Sequence, residues 1–463
     1  MKLKNNIFIL KNIKFIYLIF LSLTILFGRS FTGLYIFGFR IGELLIALCL
    51  IVSIVFLFIP IKYLKNNSGI TNFYIHKLII VSFFLIVPLT NGSFFDPYTF
   101  RSSSYVWTFA FLLISNIFLS SSKYDIQFFR LIPYFLPALY ILSTIKFPDF
   151  LITIFVNYSD KFDFVKASDL LLVFIATNFI VRKVYKITKT DFSYFIFSSA
   201  VYLPYLLFKS KGAFFPAVLF VLFNLIFYLK FINNNKGRSV IIFLIASLMF
   251  LASSFHIYGN FNFTKMGQDG FENVSITNTE DVVQNLSKLV DEKNTSQIFA
   301  SFYILEGRIY SQEQMADWRL QIWQDVVRDL FWDANYSTDS KGTVIRQQTN
   351  FRSDIFYKGF GYNDILPAMK FSERSGTDGT NQNPHNFLIY ALGRGGLIQF
   401  ILVCMFHLSI IIYFYQRDKN FEILLFILPV LMTSFFDASM ESVRFPLIYY
   451  SLLAMISKMD VDK

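Results

Sequence analysis

Four short stretches carry side chains able to do chemistry, each at the edge of an apolar block. In NQNPHNFLIYALGRGGL (residues 381–397), His385 stands beside Asn386 where a polar segment gives way to an apolar one, and Gly393, Gly395 and Gly396 follow. An imidazole titrates near neutrality, so His385 suits deprotonating or orienting a hydroxyl; its plainer role is to cap a helix. LLFKSKGAFFPAV (residues 206–218) places Lys209, Ser210 and Lys211 in a very short connection between two apolar runs. Cations there cost free energy unless they are paired or snorkel. They either cap a tight turn or hold an anionic headgroup as point charges. In WRLQIW (residues 318–323), Arg319 and Trp323 lie one turn apart on an amphipathic helix, as a solvated face or as a cation stacked on an indole. KGFGYND (residues 358–364) brackets Phe360 with Gly359 and Gly361, the pattern of a sharp loop.

The familiar soluble-enzyme signatures are missing: there is no Walker loop, dinucleotide fingerprint, HExxH or GxSxG. Four scattered histidines, with Cys49 and Cys404 inside apolar runs, point to no metal site, no disulfide framework and no cofactor.

The chain is 55% hydrophobic and 19% aromatic. A soluble domain cannot bury that much apolar surface, whereas a bilayer covers it. The apolar residues fall in blocks of roughly 15–22, the length a membrane-crossing helix needs. Twelve spans are expected, near residues 13–28, 41–62, 77–91, 105–121, 130–145, 167–182, 192–208, 212–232, 239–256, 397–416, 421–438 and 444–458. Pro133 and Pro137 make the fifth the weakest. The N-terminal run has basic flanks but no small-x-small cleavage site after it, and reads as a retained first helix. The expected fold is an all-α polytopic membrane protein: a bundle over 1–256, a polar extracytoplasmic loop over 257–385, and a C-terminal group of spans over 386–463.

The short loops MKLKNN…KNIK, KYLKNN…HK, RKVYKITK, NNNKGR and QRDKN hold most loop lysines and arginines. With twelve spans they share one side with both termini, which is then the cytoplasm. Residues 257–385 contain 17 acidic and 12 basic residues, a net of −5, against +11 for the whole chain. The basic balance is a positive-inside effect, and no basic-aromatic repeat suggests nucleic acid. Two helices are expected in this loop. One, over TNTEDVVQNLSKLVDEK, sets Val282, Val283, Leu286, Leu289 and Val290 on one face. The other, over SQEQMADWRLQIWQDVVRDLFW, has Ser311 and Gln314 at capping-box spacing and an apolar stripe of Met315, Trp318, Ile322, Val326 and Leu330.

In sequence order, these elements resemble the O-antigen ligase and O-antigen polymerase superfamily of bacterial envelope enzymes. SKG (Ser210, Lys211, Gly212) resembles its Ser-Arg-Gly motif, and WRLQIW its Arg-x-x-x-Trp element in a large periplasmic loop. GFG (Gly359, Gly361) is similar to the Gly-x-Gly that follows, and HNFLIYALGRGGLIQFIL to its His-Asn signature with trailing glycines. The motif likeness covers roughly residues 195–415. Lys211 departs from the family's Arg, and the stretch between Arg319 and Gly359 is long, with Arg346 and Arg352 as alternative cations.

The resemblance implies transfer of a glycan from an undecaprenyl-diphosphate donor to a sugar hydroxyl of a glycan or lipid-linked acceptor, outside the cytoplasmic (inner) membrane of a bacterium. It implies inversion at the anomeric carbon without metal or nucleotide sugar. Lys211 and Arg319 would hold the diphosphate and His385 would activate the acceptor, with Asp317 or Asp364 as an alternative base. Asn386 would bond the glycan or fix the histidine. Lys209, Ser210, Trp323, Gly359 and Gly361 would complete the substrate site. A polymerase extending O-antigen or capsular repeat units is favoured by the long divergent loop. A ligase joining finished polysaccharide to lipid A-core or protein is the alternative. A lipid-linked sugar flippase is less favoured, because few charges lie mid-span and no pseudo-repeat is visible.

Overall fold

Long apolar stretches with few breakers leave the backbone no partner but itself, and they form helices. The computed structural model describes residues 2–58, 77–83, 96–118, 130–145, 147–159, 165–185, 189–259, 262–267, 270–275, 302–305, 307–312, 314–338, 344–352, 354–370, 374 and 382–458. Among the described residues, six helices are long and apolar enough to cross a membrane: Lys14–Thr32, Ile41–Phe58, Thr190–Lys209, Lys211–Asn234, Lys236–Tyr258 and Phe387–Asp418. Ile132–Thr144 and Asp149–Tyr158 form a broken pair bent by 81°, in the region whose prolines marked the weakest expected span. Ser104–Asn116 and Leu424–Ser434 are shorter apolar helices. Twelve spans are thus met by six helices of full length; the expected spans near 77–91 and 105–121 lie only partly within the described residues.

The outward faces are apolar, as in an all-α membrane protein. Leu222, Ile226, Leu244 and Leu248 are each more than half exposed, on helices whose polar backbone is satisfied internally. The interior is packed with rings: Trp107, Phe174, Tyr202 and Tyr450 are buried, Phe174 stacks on Tyr202, and Phe109 meets Phe406 edge-on at 4.5 Å.

Two glycines bend long helices. Gly28 (φ 51°, ψ −120°) breaks Lys2–Thr32, and Gly396 (φ 64°, ψ −169°) breaks Phe387–Asp418, hereafter the His–Asn helix. At the second bend, residues 357–361 lie directly on the helix backbone. A Cβ at Gly359 would sit 2.4 Å from the Arg394 oxygen and the Gly396 nitrogen, and one at Gly396 would sit 2.3 Å from the Tyr357 oxygen. No side chain fits between these two backbones.

The polar segment is not purely helical, which corrects the expectation for 257–385. The helix Gln314–Phe331, hereafter the loop helix, forms where the stripe placed it, with Ile322, Val326 and Leu330 buried. Antiparallel hairpins flank it in sequence: Asn262–Gly267 with Gly270–Ser275, Phe302–Leu305 with Arg308–Ser311, and Trp332–Thr338 with Val344–Phe351. Aromatic and β-branched residues favour strands there, and Trp332 faces Phe351 across the last hairpin with rings 5.1 Å apart. Ser311 belongs to a strand rather than a capping box: its N–H is taken by Asp317 at 2.9 Å. The helix expected over TNTEDVVQNLSKLVDEK lies outside the described residues.

Buried carboxylates on the loop helix hold the surrounding chain. Asp325 pairs with Arg308 at 2.9 Å and Arg374 at 2.7 Å, and Asp329 pairs with Arg346 at 2.9 Å and accepts from Tyr336 at 2.6 Å. Arg352 pairs with Asp333 and donates to the Asp329 carbonyl at 2.9 Å. Arg346 and Arg352, the alternative cations of the sequence reading, are engaged in this scaffold. The loop helix then packs on the His–Asn helix at Gly393, where a Cβ would stand 3.0 Å from Val326.

Candidate functional site

The His–Asn helix begins with an unusual backbone step. Asn386, in extended conformation (φ −150°, ψ 112°), caps it by accepting from the Leu388 and Ile389 N–H groups, each at 3.1 Å. His385, one residue earlier, is held at φ 53°, a left-handed conformation that few non-glycine residues adopt. The loop helix grips this corner with two tryptophans. The Trp318 ring lies 5.7 Å from the His385 ring, and Trp323 Nε1 donates to the Pro384 carbonyl at 2.6 Å. Asn386 and Trp323 therefore set where the imidazole stands.

The connection Phe435–Val443, between helices Leu424–Ser434 and Arg444–Lys458, is the meeting point of the motifs. Arg319 Nη1 donates to the Phe436 carbonyl at 2.7 Å, and the Trp323 and Phe436 rings are 6.5 Å apart. Gly212 touches the same residue: a Cβ there would lie 3.1 Å from Phe436 Cβ. Glycine thus lets the Ser210–Lys211–Gly212 turn close onto Phe436. Ser210 opens the helix Lys211–Asn234, its carbonyl accepting from Phe214 N–H at 3.0 Å. Lys211 is exposed, and Lys209 lies with its Nζ 5.8 Å above the Tyr205 ring. Asp437 accepts from Ser168 Oγ at 2.7 Å, which brings the start of helix Ala167–Tyr185, with Lys166 just before it, to the same end of the bundle.

The electrostatics follow from burial and from this gathering of charges. Burial holds His385 down to about 4, with Arg319 and Lys166 adding repulsion and Asp437 opposing them. The imidazole is therefore neutral at pH 7. Burial also pushes Glu441 up to about 8, reinforced by Asp437 and opposed by Arg394. Arg319 and Lys166 are the cations that act on the neutral imidazole, and Asp437 acts on both His385 and Glu441.

The structure brings Arg319, Trp323 and the Ser210–Lys211–Gly212 turn onto Phe436 through Gly212, with His385 and Asn386 at the adjoining corner held by Trp318 and Trp323. Gly359 and Gly361 do not join them. The N–H groups of Phe360 and Gly361 donate to the carbonyls of Gly393 and Arg394 at 2.8 and 2.9 Å, so this loop is a packing element against the helix bend. Asp317 is engaged with Ser311 and Gln321, and Asp364 with Lys370 and the Ile365 N–H; neither is among the groups that act on His385. Sequence reasoning missed Lys166, Phe436, Asp437 and Glu441. The signal was present in FFDASMESVR, a connection between two apolar runs with two acidic residues. Among the described residues, no group of three or more His, Cys, Asp or Glu is placed to hold a metal ion. No family model, no curated protein and no solved structure matches the chain.

Proposed function

We propose that the chain is a metal-independent inverting glycosyltransferase that moves a glycan from undecaprenyl diphosphate to an acceptor sugar hydroxyl at the outer face of the bacterial cytoplasmic membrane, most simply as a repeat-unit polymerase. The observation that carries this reading is the convergence of Gly212, Arg319 and Trp323 on Phe436, with the His385 ring against Trp318 beside Arg319. They come from three motifs more than a hundred residues apart at the extremes; the family resemblance gives Arg319 and His385 roles in the reaction and Trp323 one in substrate binding, and Gly212 belongs to the motif that holds Lys211. Twelve spans with both termini in the cytoplasm belong to the same reading, supported by the lysine- and arginine-rich short loops.

The reaction asks little covalent chemistry of the protein. The acceptor oxygen attacks the anomeric carbon from the face opposite the diphosphate. The carbon–oxygen bond to phosphate breaks, and its electron pair leaves with undecaprenyl diphosphate. Arg319 and Lys211 stabilise that charge; one preorganised donor of this kind is worth about 3–4 kcal/mol in a water-poor site. The acceptor proton passes to the neutral His385 imidazole, and Asp437 favours the imidazolium that forms. A bound diphosphate offsets the Arg319 charge that helps hold His385 down, so the base strengthens once the donor is in place.

Reconstitution in liposomes with an undecaprenyl-diphosphate oligosaccharide, with and without a second acceptor, tests this function. Self-elongation is expected of a polymerase, and transfer only to the second acceptor would make it a ligase. A folded protein that does neither overturns the reading.

A further inference from the structure

A cavity of about 310 Å³ lies at the far end of the loop helix, away from the cluster around Phe436. Its wall includes Asp333, Tyr336, Arg352, Phe360, Asp364 and Lys370, with Asp329 at the helix edge. Asp329 is ten residues beyond Arg319 on one helix, about 15 Å along its axis. The volume falls at the small end of ligand sites, which run from about 300 to 1,000 Å³.

The wall mixes charged and apolar side chains, and its charges are paired. Arg352 pairs with Asp333 and Lys370 with Asp364, while Asp329 is taken by Arg346 and Tyr336. A charged ligand would have to break one of these pairs. A neutral ligand rich in hydroxyls need not, since each hydroxyl both donates and accepts and can bridge a cation and a carboxylate. The remaining wall is apolar, with Ile365 and Pro367 beside Phe360, as the carbon face of a sugar ring requires.

We propose that this cavity is a distal subsite for a neutral sugar of the glycan whose reacting end lies at Arg319 and His385. The proposal rests on the glycan-transfer reading. Its chemical consequence is that contacts several sugars from the reaction help to position the reacting end, so the benefit depends on glycan length.

The test uses the full chain in nanodiscs and the carrier-free oligosaccharide released by mild acid from polyprenyl-diphosphate lipids of the cells that make the protein. Binding is followed by saturation-transfer NMR and calorimetry for the wild type and for Asp333→Ala with Lys370→Ala. The double substitution is expected to weaken binding at least tenfold. In transfer assays the double substitution should raise KM for the long form of one substrate and not for its one-sugar form. Length dependence in the donor assigns the subsite to the donor, and in the acceptor to the acceptor. No binding to the wild type, or equal binding by the double variant, overturns the proposal. Binding without any transfer leaves the cavity standing and removes the transferase reading. Should the double variant not fold, Asp364→Asn replaces it, with the same tenfold loss expected and unchanged binding counting against the subsite.

Discussion

Arg319 reaches across from the loop helix to donate to the Phe436 carbonyl at 2.7 Å, and so ties the polar segment to a connection between two C-terminal helices. Neither residue is near the other in sequence, and the bond fixes a guanidinium beside the Gly212 turn and the His385 corner. An arginine spent on a main-chain carbonyl keeps its full charge, because the carbonyl neutralises nothing.

The proposed role of that charge is open to measurement. Arg319→Ala is expected to lower glycan transfer about 10²-fold or more, in line with removal of one preorganised donor, while the thermal midpoint stays near the wild type. Arg319→Lys, which keeps the charge and loses the fork, should recover part of the rate. Wild-type turnover by Arg319→Ala would remove the arginine from the reaction. Lys211→Ala combined with Lys209→Ala should fail similarly.

The two contacting glycines separate function from stability. A methyl at Gly212 meets Phe436 Cβ at 3.1 Å, a contact relieved by a shift of a few tenths of an ångström in Phe436. Gly212→Ala should therefore fold, shift Phe436 and lower transfer. A methyl at Gly359 meets backbone at 2.4 Å with φ at +71°, and nothing there can yield. Gly359→Ala should cost on the order of 3 kcal/mol of stability, read by thermal or denaturant unfolding. Equal melting of Gly359→Ala and wild type would contradict the close backbone approach.

Stability should respond to pH through two groups of opposite sign. His385 is held below its usual 6.5, so the unfolded chain takes up the proton first; its contribution is complete above about pH 6.5 and lost as pH falls towards 4. Glu441 is held above its usual 4.5, so its contribution is complete below that value and lost as pH rises through about 8. His385→Ala should flatten the acid-side loss, and Glu441→Gln the loss between pH 4.5 and 8. Thermal midpoints measured across pH 4–9 check both, and unchanged slopes in either variant would exclude that group.

The buried Asp325 faces three arginines, Arg308 and Arg374 closely and Arg346 at 4.0 Å, and its removal takes away their shared counter-charge. Asp325→Ala is expected to destabilise the loop helix by about 3–5 kcal/mol, seen as faster hydrogen exchange across Gln314–Phe331. Unchanged protection there would mean that the ion pairs do not hold the segment.

Much of this architecture is legible in the sequence because hydropathy and helical period report it directly. Among the described residues six of the apolar blocks became helices of membrane-crossing length, and Ile322, Val326 and Leu330 were buried as their spacing demands. The hairpins were not legible: Trp332–Thr338 lies next to a strong helical stripe, and its pairing with Val344–Phe351 is a matter of non-local contact. The candidate site divides in the same way. His385, Arg319 and Lys211 stand out by residue type at an apolar boundary. Phe436 does not, because it contributes a main-chain carbonyl and a surface for Gly212, and backbone roles leave no trace in side-chain chemistry. Gly359 and Gly361 pack backbone against the helix bend, and in sequence glycines needed for backbone packing look the same as glycines needed for a ligand.

The most direct measurement is transfer by His385→Ala in liposomes, normalised to folded protein and run beside the wild type with the same undecaprenyl-diphosphate oligosaccharide. Loss of product, with the donor still bound and the thermal midpoint preserved, is the expected result. Product formed at the wild-type rate would show that the His385 corner is not where the reaction takes place.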